Sequence, residues 1–314
     1  MPKCGKISII GAGNVGASVA QRVAEGCPSD IVLVDVVEGL PQGKALDIRQ
    51  SAPVLGFGSR VSGSNDYADT AGSDLVVITA GIGRKPGMTR DELIHTNKKV
   101  LTDVTHNVVK HSPDCIIIIV TNPVDAMTYL AHHVSGFPRQ RVLGLSGVLD
   151  GARLGSFIVD ELGAAPSEVE TLVIGEHGQH MVVLPRLCKV KGKPLTELLP
   201  EQRIYELIER TIGGGAEIVS LLKTGSAYYA PSASVARMVK AIVFDEKAVM
   251  PCSAVLDGEY GFSDVALGLP LKLGENGIEE IVRLDLEDGE KKALADAAGA
   301  VKKTIDIMKL GLWE

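Results

Sequence analysis

Residues 7–16 read Ile-Ser-Ile-Ile-Gly-Ala-Gly-Asn-Val-Gly, a short β-branched run that turns directly into glycines. A GxGxxG pattern that follows a strand and opens an amphipathic stretch is typical of dinucleotide-binding sites. Gly11 allows a tight turn, Gly13 lets the main chain approach a pyrophosphate, and Gly16 lets a helix pack closely on the strand. The helix N-terminus adds free N–H groups and a positive dipole. The alternative is a plain glycine-rich strand–turn–helix without a ligand.

Asp35 ends the next apolar run, Ile31–Val34, at the distance expected for a carboxylate that binds an adenosine ribose. It would repel the extra phosphate of NADP, and Val36 and Val37 supply no cation to bind that phosphate. The pattern therefore predicts NAD, although Asp35 as a simple helix cap is the alternative. The predicted cofactor contacts in these two motifs are Gly11, Ala12, Gly13, Asn14, Val15, Gly16 and Asp35.

Short β-branched runs alternate with helix-like stretches through the first half of the chain, at residues 7–10, 31–34, 75–78, 116–120 and 142–145. Several are apolar throughout, as in strands covered on both faces. After residue 146 the pattern changes to long helical segments at 201–222, 232–243 and 289–310. We therefore predict an α/β protein: a Rossmann-type doubly wound parallel sheet in residues 1–146 and a C-terminal α+β substrate domain in residues 147–314, with a shared cleft.

Composition excludes several classes of protein. Lys and Arg total 32 against 39 Asp and Glu, with no basic block, so nucleic acid is not an expected partner. The five cysteines are scattered and never form a CxxC pair, which argues against a disulfide framework and a metal site. The longest apolar run, 115–120, is too short for a bilayer, and the six residues before Ile7 leave no space for the apolar core of a signal peptide, so we expect none. We predict a cytoplasmic protein with no metal and no membrane contact.

Polar side chains follow several predicted strands. Arg84 and Arg90 lie in a glycine- and proline-containing loop after residue 78, where arginines are often merely solvated. Asn122 ends the strand at 116–120, where open α/β sheets bind ligands, although Asn-Pro is also an ordinary turn. These three residues are candidates for contacts with a small polar substrate.

His177 is the strongest acid–base candidate among seven histidines because glycines flank its segment and let the ring approach a ligand. Asp150 and Arg153 lie three residues apart on one predicted helix and share a face. A buried aspartate near a histidine orients the ring and stabilises its charged form. A surface ion pair between Asp150 and Arg153 is the alternative.

Taken together, these motifs resemble the lactate and malate dehydrogenase superfamily along essentially the whole chain. The resemblance rests on residues 11–16, Asp35 and the segments 84–90, 122–125, 149–153, 175–178 and 225–231. It implies an NAD-dependent oxidoreductase that interconverts a 2-hydroxy acid and its 2-oxo acid.

The resemblance also implies residue roles. His177 would accept the proton of the substrate hydroxyl, and Asp150 would orient the His177 ring. Arg153 would bind the C1 carboxylate of the substrate through two hydrogen bonds. Arg90 would polarise the carbonyl when its loop closes, and Arg84 would pair with a distal carboxylate. The implied substrates are therefore (S)-malate and oxaloacetate, and the implied oligomer is a homotetramer, with a dimer as the alternative. The other implied contacts are Asn122 with substrate and Asn97, Val120, Thr121 and Asn122 with the cofactor.

Two departures from the family pattern bear on these expectations. Gly151, Leu154 and Gly155 stand where relatives carry Ser and Phe-Arg, so contacts of this helix with a neighbouring subunit or an anionic effector are not carried over. Glu176 is more typical of lactate enzymes, whereas Arg84 favours a dicarboxylate because lactate enzymes normally have an uncharged residue there. Lactate or another 2-hydroxy acid remains the alternative substrate, and an NAD-binding sensor or assembly protein the non-enzymatic alternative.

Overall fold

The computed structural model describes residues 5–83 and 87–309 of the 314-residue chain. Arg84, a predicted substrate residue, lies outside the described residues. Within the described ranges, no helix has the length and apolar character needed to cross a lipid bilayer. Nor do the residues in these ranges bring together three or more side chains arranged to bind a metal ion.

A parallel six-stranded sheet forms the first half. Its strands are β1 (Lys6–Ile10), β2 (Asp30–Val34), β3 (Val61–Ser64), β4 (Leu75–Ile78), β5 (Ile116–Ile119) and β6 (Val142–Gly144). Their spatial order is β3-β2-β1-β4-β5-β6, which is the doubly wound order with a switch point between β1 and β4. The predicted fold class is therefore confirmed.

Helices cover both faces of this sheet, which explains why its central strands are apolar throughout. All four residues of β4 and all four of β5 are buried. The covering helices of this half are α1 (Asn14–Gly26), α2 (Leu40–Leu55), α3 (Arg90–His111) and α4 (Val124–Ser135).

Strand β3 is absent from the five runs identified in the sequence. It reads Val-Ser-Gly-Ser and has a single β-branched apolar residue, so it carries little strand signal. A Cβ on Gly63 would lie 2.2 Å from the carbonyl of Pro41 at the start of α2. The missing side chain therefore lets α2 pack directly on this edge strand.

Within the described residues, the second half extends the same sheet with five antiparallel strands and forms a separate three-stranded antiparallel sheet. Its strands are β7 (Val169–Glu170), β8 (Val173–Gly175), β9 (Met181–Val183), β10 (Lys189–Val190), β11 (Lys193–Pro194), β12 (Ala248–Asp257), β13 (Ser263–Gly274) and β14 (Gly277–Ile281). Strands β12, β13, β8, β9 and β14 extend the first sheet, and the separate sheet has the order β11-β10-β7. The long pair β12 and β13 joins β6 to β8: Ser253 pairs with Gly144 and Gly268 with Gly175. One sheet thus carries the end of β6 and the end of β8 close together.

The helices of the second half are α5 (Gly147–Leu162), α6 (Leu195–Leu198), α7 (Glu201–Leu222), α8 (Tyr229–Val243) and α9 (Asp288–Lys309). The three long segments predicted here are helical over their described residues, with α7 at its predicted bounds and the start of α8 three residues earlier. Helix α5 carries the unusual glycines. A Cβ on Gly151 would lie 2.7 Å from Oγ1 of Thr171, which itself donates a hydrogen bond to the Gly151 carbonyl. Leu154 is fully buried in an apolar cluster with Ile158, so the departures from the family pattern pack α5 within its own subunit.

Candidate active site

A cavity of about 940 Å³ opens at the carboxyl ends of the parallel strands. Its volume lies in the upper part of the range for small-molecule and cofactor sites. Both halves of the chain line it: the glycine loop, Asp35 and Asn122 from the first half, and Asp150, Arg153 and His177 from the second. The fold thus brings the two groups of predicted site residues to one cleft.

The glycine loop forms one end of this cavity. Gly11 has φ +106°, and its N–H donates to the carbonyl of Val34 at 2.7 Å. A Cβ on Gly16 would lie 1.8 Å from the Gly11 carbonyl oxygen, whereas a Cβ on Gly13 would meet nothing within 4 Å. Gly16 is therefore required by helix packing, and Gly13 leaves open space at the N-terminus of α1. That open cradle and the unpaired N–H groups of a helix start fit a pyrophosphate.

Substituting these two glycines should have separable effects. Gly16→Ala is expected to lower the free energy of unfolding by about 3 kcal/mol because its Cβ collides with main chain. Gly13→Ala should leave stability within about 0.5 kcal/mol of wild type but weaken NADH binding about tenfold, since its methyl group enters the open cradle. Urea unfolding and NADH fluorescence titration measure the two quantities. Equal NADH affinity of Gly13→Ala and wild type would contradict the assignment of the cradle.

Asp35 lines the cavity at the end of β2. Its Oδ2 accepts from the N–H of Ala12 at 2.7 Å, and its Oδ1 accepts from the N–H of Val37 at 2.9 Å. Both oxygens keep lone pairs for ribose hydroxyls. Tyr67 lines the same end, where burial and then the charges of Asp35 and Asp103 raise its phenol pKa. The negative field disfavours a 2′-phosphate at this end.

His177 follows β8 and lines the cavity several strands along the sheet from the glycine loop, which follows β1. Gly175, at φ +87°, turns the chain so that the ring approaches α5. Nδ1 of His177 lies 2.7 Å from Oδ2 of Asp150, which is 1% exposed, and Oδ1 of Asp150 accepts from Nη1 of Arg153 at 3.2 Å. Burial alone would lower the pKa of His177, but the Asp150 carboxylate, together with Asp125, raises it above its usual value. Asp150 thus leaves Nε2 as the ring atom available for proton exchange.

Among the described residues that line the cavity, Arg153 is the only arginine or lysine. Glycines on α7 make room for it: a Cβ on Gly214 would lie 3.4 Å from its Cδ, and one on Gly215 would lie 3.5 Å from its Nη2. Its Nε is buried and has no hydrogen-bond partner among the described residues. The guanidinium of Arg153 is suited to an anionic ligand, because its planar fork can donate two parallel hydrogen bonds to a carboxylate.

The 120–122 segment contributes main chain and side chains to the cavity wall. Val120, Thr121 and Asn122 line it, and Thr121 Oγ1 donates to the carbonyl of Ala80 at 2.6 Å. Asn97 is 1% exposed and lies behind the wall, where its Oδ1 accepts from the N–H of Ile82 and its Nδ2 donates to the carbonyl of Asn122. Asn97 therefore acts on the cavity through the main chain that it holds, and the buried Ala12 acts through its N–H bond to Asp35. Direct contact of either residue with a cofactor stays a prediction.

Arg90 begins α3 and does not line the cavity in this structure, in which residues 84–86 are not described. Its Nη2 lies 3.7 Å from Oε1 of Glu176 and 3.4 Å from Oγ1 of Thr304, and the side chain is 59% exposed. The carboxylate of Glu176 therefore attracts the guanidinium of Arg90 and holds it at the outer edge of the cavity, which we call the rim. The predicted contact between Arg90 and a substrate carbonyl stays a prediction.

Sequence reasoning missed Asp125, which the structure places against His177. The Asp125 carboxyl is buried, and its Oδ2 accepts from the main-chain N–H of His177 at 2.7 Å. Burial raises its pKa to about 6. The available signal was its position in the first turn of α4, in the Asn-Pro-Val-Asp segment that follows β5.

The whole arrangement suits one type of chemistry. An imidazole paired with a carboxylate, a guanidinium and an open glycine loop at a helix start line one cavity. These groups together fit hydride transfer to or from an anionic hydroxy acid.

Comparison with known proteins agrees with this geometry. The sequence matches the family described as lactate/malate dehydrogenase, NAD binding domain over residues 5–144, and lactate/malate dehydrogenase, alpha/beta C-terminal domain over residues 147–309. It is 59% identical to a malate dehydrogenase of Dehalococcoides mccartyi over 305 residues, which cover 97% of this chain and 99% of that protein.

Solved structures show the same likeness. The malate dehydrogenase from Salinibacter ruber superposes with a TM-score of 0.93 at 47% identity, covering 97% of this chain and 98% of that one. The lactate dehydrogenase from Cryptosporidium parvum, in complex with lactic acid and β-nicotinamide adenine dinucleotide, gives a TM-score of 0.94 at 39% identity, covering 98% and 99%. Overall shape is thus shared by enzymes of both names.

Proposed function

The chain belongs to the lactate/malate dehydrogenase family, and from this premise we propose that it catalyses the reversible NAD-linked oxidation of (S)-malate to oxaloacetate. The observation that carries the proposal is the His177–Asp150 pair beside Arg153, facing the same cavity as the glycine loop. The names of relatives at high identity support malate as the substrate.

Oxidation of the C2 alcohol removes a hydride from carbon and a proton from oxygen. The glycine loop and Asp35 would hold NAD, which would supply the hydride acceptor when bound. The neutral Nε2 of His177 takes the hydroxyl proton, and Asp150 stabilises the imidazolium that results. In the reverse direction the imidazolium returns that proton to the oxygen of oxaloacetate.

Arg153 binds the C1 carboxylate through its planar guanidinium and so sets the distance from C2 to His177. Asn122, exposed at the end of β5, is placed to donate a hydrogen bond to substrate oxygen. Arg90 is proposed to polarise the carbonyl, and Arg84 to pair with the second carboxylate.

Parallel assays test this function. With NADH, turnover of oxaloacetate is expected to exceed that of pyruvate by about 100-fold or more in kcat/KM, because an arginine that faces a methyl group is left unpaired. NADPH should be a poor substitute because of the charge of Asp35. The matched variant Arg84→Gln should reduce the preference for oxaloacetate. A preference for pyruvate in the wild type would contradict malate and favour the lactate alternative.

One residue, Glu176, bears on that alternative. Glu176, the residue typical of lactate enzymes, is 9% exposed and accepts from His180 and contacts Arg90. It is thus built into the rim that holds Arg90 and does not line the cavity, so it gives weak evidence about the substrate.

The same proposal includes two functional units, residues 1–146 for the cofactor and residues 147–314 for the substrate. The homotetramer, with a dimer as the alternative, and the cytoplasmic location remain predictions.

A further inference from the structure

Asp125 connects three segments of the molecule at one buried carboxylate. It lies in the first turn of α4 and is 3% exposed. Its Oδ2 accepts from the main-chain N–H of His177 at 2.7 Å, in the segment after β8. Its Oδ1 accepts from Oγ of the fully buried Ser253 on β12 at 2.6 Å. The backbone that carries the predicted base is therefore fixed by a residue from the other half of the chain.

A neutral asparagine would satisfy both of these hydrogen bonds. Asn offers an acceptor to His177 and a donor to Ser253, whose hydroxyl also accepts. A buried carboxylate instead loses its hydration, which disfavours its charged form. The N-terminus of α4 offsets part of this loss. Because asparagine would make the same hydrogen bonds without a buried charge, we infer that the negative charge of Asp125 has a function of its own beside His177.

We propose that Asp125 is a positioning residue for His177 that fixes the backbone of the base and adds a second negative charge beside its imidazolium. The proposal rests on the proposed function, in which His177 alternates between its neutral and charged forms. Asp150 orients the ring from one side through Nδ1, and Asp125 holds the main chain from the other. Two buried carboxylates therefore hold His177: Asp150 contacts the ring, and Asp125 contacts the main-chain N–H.

Other charged groups act on this pair and fix the sign of the expected effect. Asp150 and Arg153 face His177 from α5, and Glu176 precedes it and also acts on Asp125. Arg90 of α3 contacts Glu176, whereas β12 contributes the neutral Ser253. The Asp125 charge stabilises protonated His177, so its removal should let the ring lose its proton at lower pH.

The test compares Asp125→Asn and Asp125→Ala with the wild type. In Asp125→Asn the acidic fall of kcat/KM for malate oxidation should move to lower pH by about one pH unit, because the base stays neutral further into acid. The alkaline fall for oxaloacetate reduction should move to lower pH by a similar amount. Asp125→Ala should show the same movement and also lose kcat by on the order of tenfold or more, because the N–H of His177 is left unpaired.

A purely structural residue would lower kcat in Asp125→Ala, leave Asp125→Asn close to wild type, and move neither pH profile. Profiles of Asp125→Asn that coincide with wild type would therefore overturn the proposal. If both Asp125 variants fail to fold, Ser253→Ala keeps the carboxylate and removes one hydrogen bond. Since that bond lowers the pKa of Asp125, its loss should move the profiles in the same direction by less, and no movement would again overturn the proposal.

Failure of the proposed function would be seen separately, as a wild-type protein without malate turnover. The pH dependence of the His177 ring nitrogen shifts, measured by NMR on wild type and Asp125→Asn, then tests the charge contribution without any substrate. A lower midpoint in the variant supports it, and equal midpoints overturn it.

Discussion

His177→Asn is expected to lower kcat for malate oxidation by on the order of 10³-fold, since asparagine cannot accept the hydroxyl proton. Its amide can still donate to Asp150, which lies 2.7 Å from the ring in the wild type, so the cleft should keep its shape. NADH affinity should stay within about twofold of wild type because the glycine loop follows β1, several strands along the sheet from His177. Stopped-flow absorbance of NADH and fluorescence titration measure the two effects.

The pH profile identifies the lost group. In the wild type, malate oxidation should fall in acid as His177 takes up a proton, and the fall should begin above the pH of a free imidazole because its pKa is raised. The residual activity of His177→Asn should lack this limb. His106→Asn, an exposed position on α3, serves as the matched control and should retain full activity. If His177→Asn were fully active, the assignment of His177 as the base would be wrong, although the fold assignment would still stand.

Local sequence patterns predicted two kinds of element: those that contact residues close in the chain, and those that are strongly apolar themselves. The glycine loop between β1 and α1 is encoded by ten consecutive residues, and buried runs such as Ile116–Ile119 need no context to be read as strands. The hairpin of β12 and β13 was not delimited, because each strand contains a proline, Pro251 and Pro270, which are partners in the register. Proline weakens the sequence signal for a strand, but pairing between β12 and β13 still forms the two strands.

The same distinction applies to the site. Asp150 and Arg153 are three residues apart, so their shared helix face follows from helical periodicity. The bond from His177 to Asp125 joins residues 52 apart through a main-chain N–H, and no residue pattern encodes it. Its existence depends on β12 and β13, which lie between β6 and β8 and join them in one sheet.

Arg153→Lys should reduce kcat/KM for oxaloacetate by about 10²–10³-fold, mainly through KM, although the charge is kept. A lysine has no planar fork, so it cannot bind both carboxylate oxygens while also contacting Asp150. The buried Nε of Arg153, unpaired within the described part of the chain, is the donor that the substitution removes. Steady-state kinetics at saturating NADH measure the loss.

The matched control for Arg153→Lys is Arg210→Lys, which changes an exposed arginine paired with Glu217 along the same helix α7 that packs against Arg153. Surface pairs of this kind contribute little, so kcat/KM should stay within about twofold of wild type. If Arg153→Lys were as active as Arg210→Lys, the bidentate role would be wrong, because charge alone would then suffice to hold the carboxylate. A selective rise in KM with an unchanged NADH affinity would instead place the guanidinium fork on the substrate, since the glycine loop of the cofactor cradle follows β1, whereas Arg153 lies on α5, which follows β6.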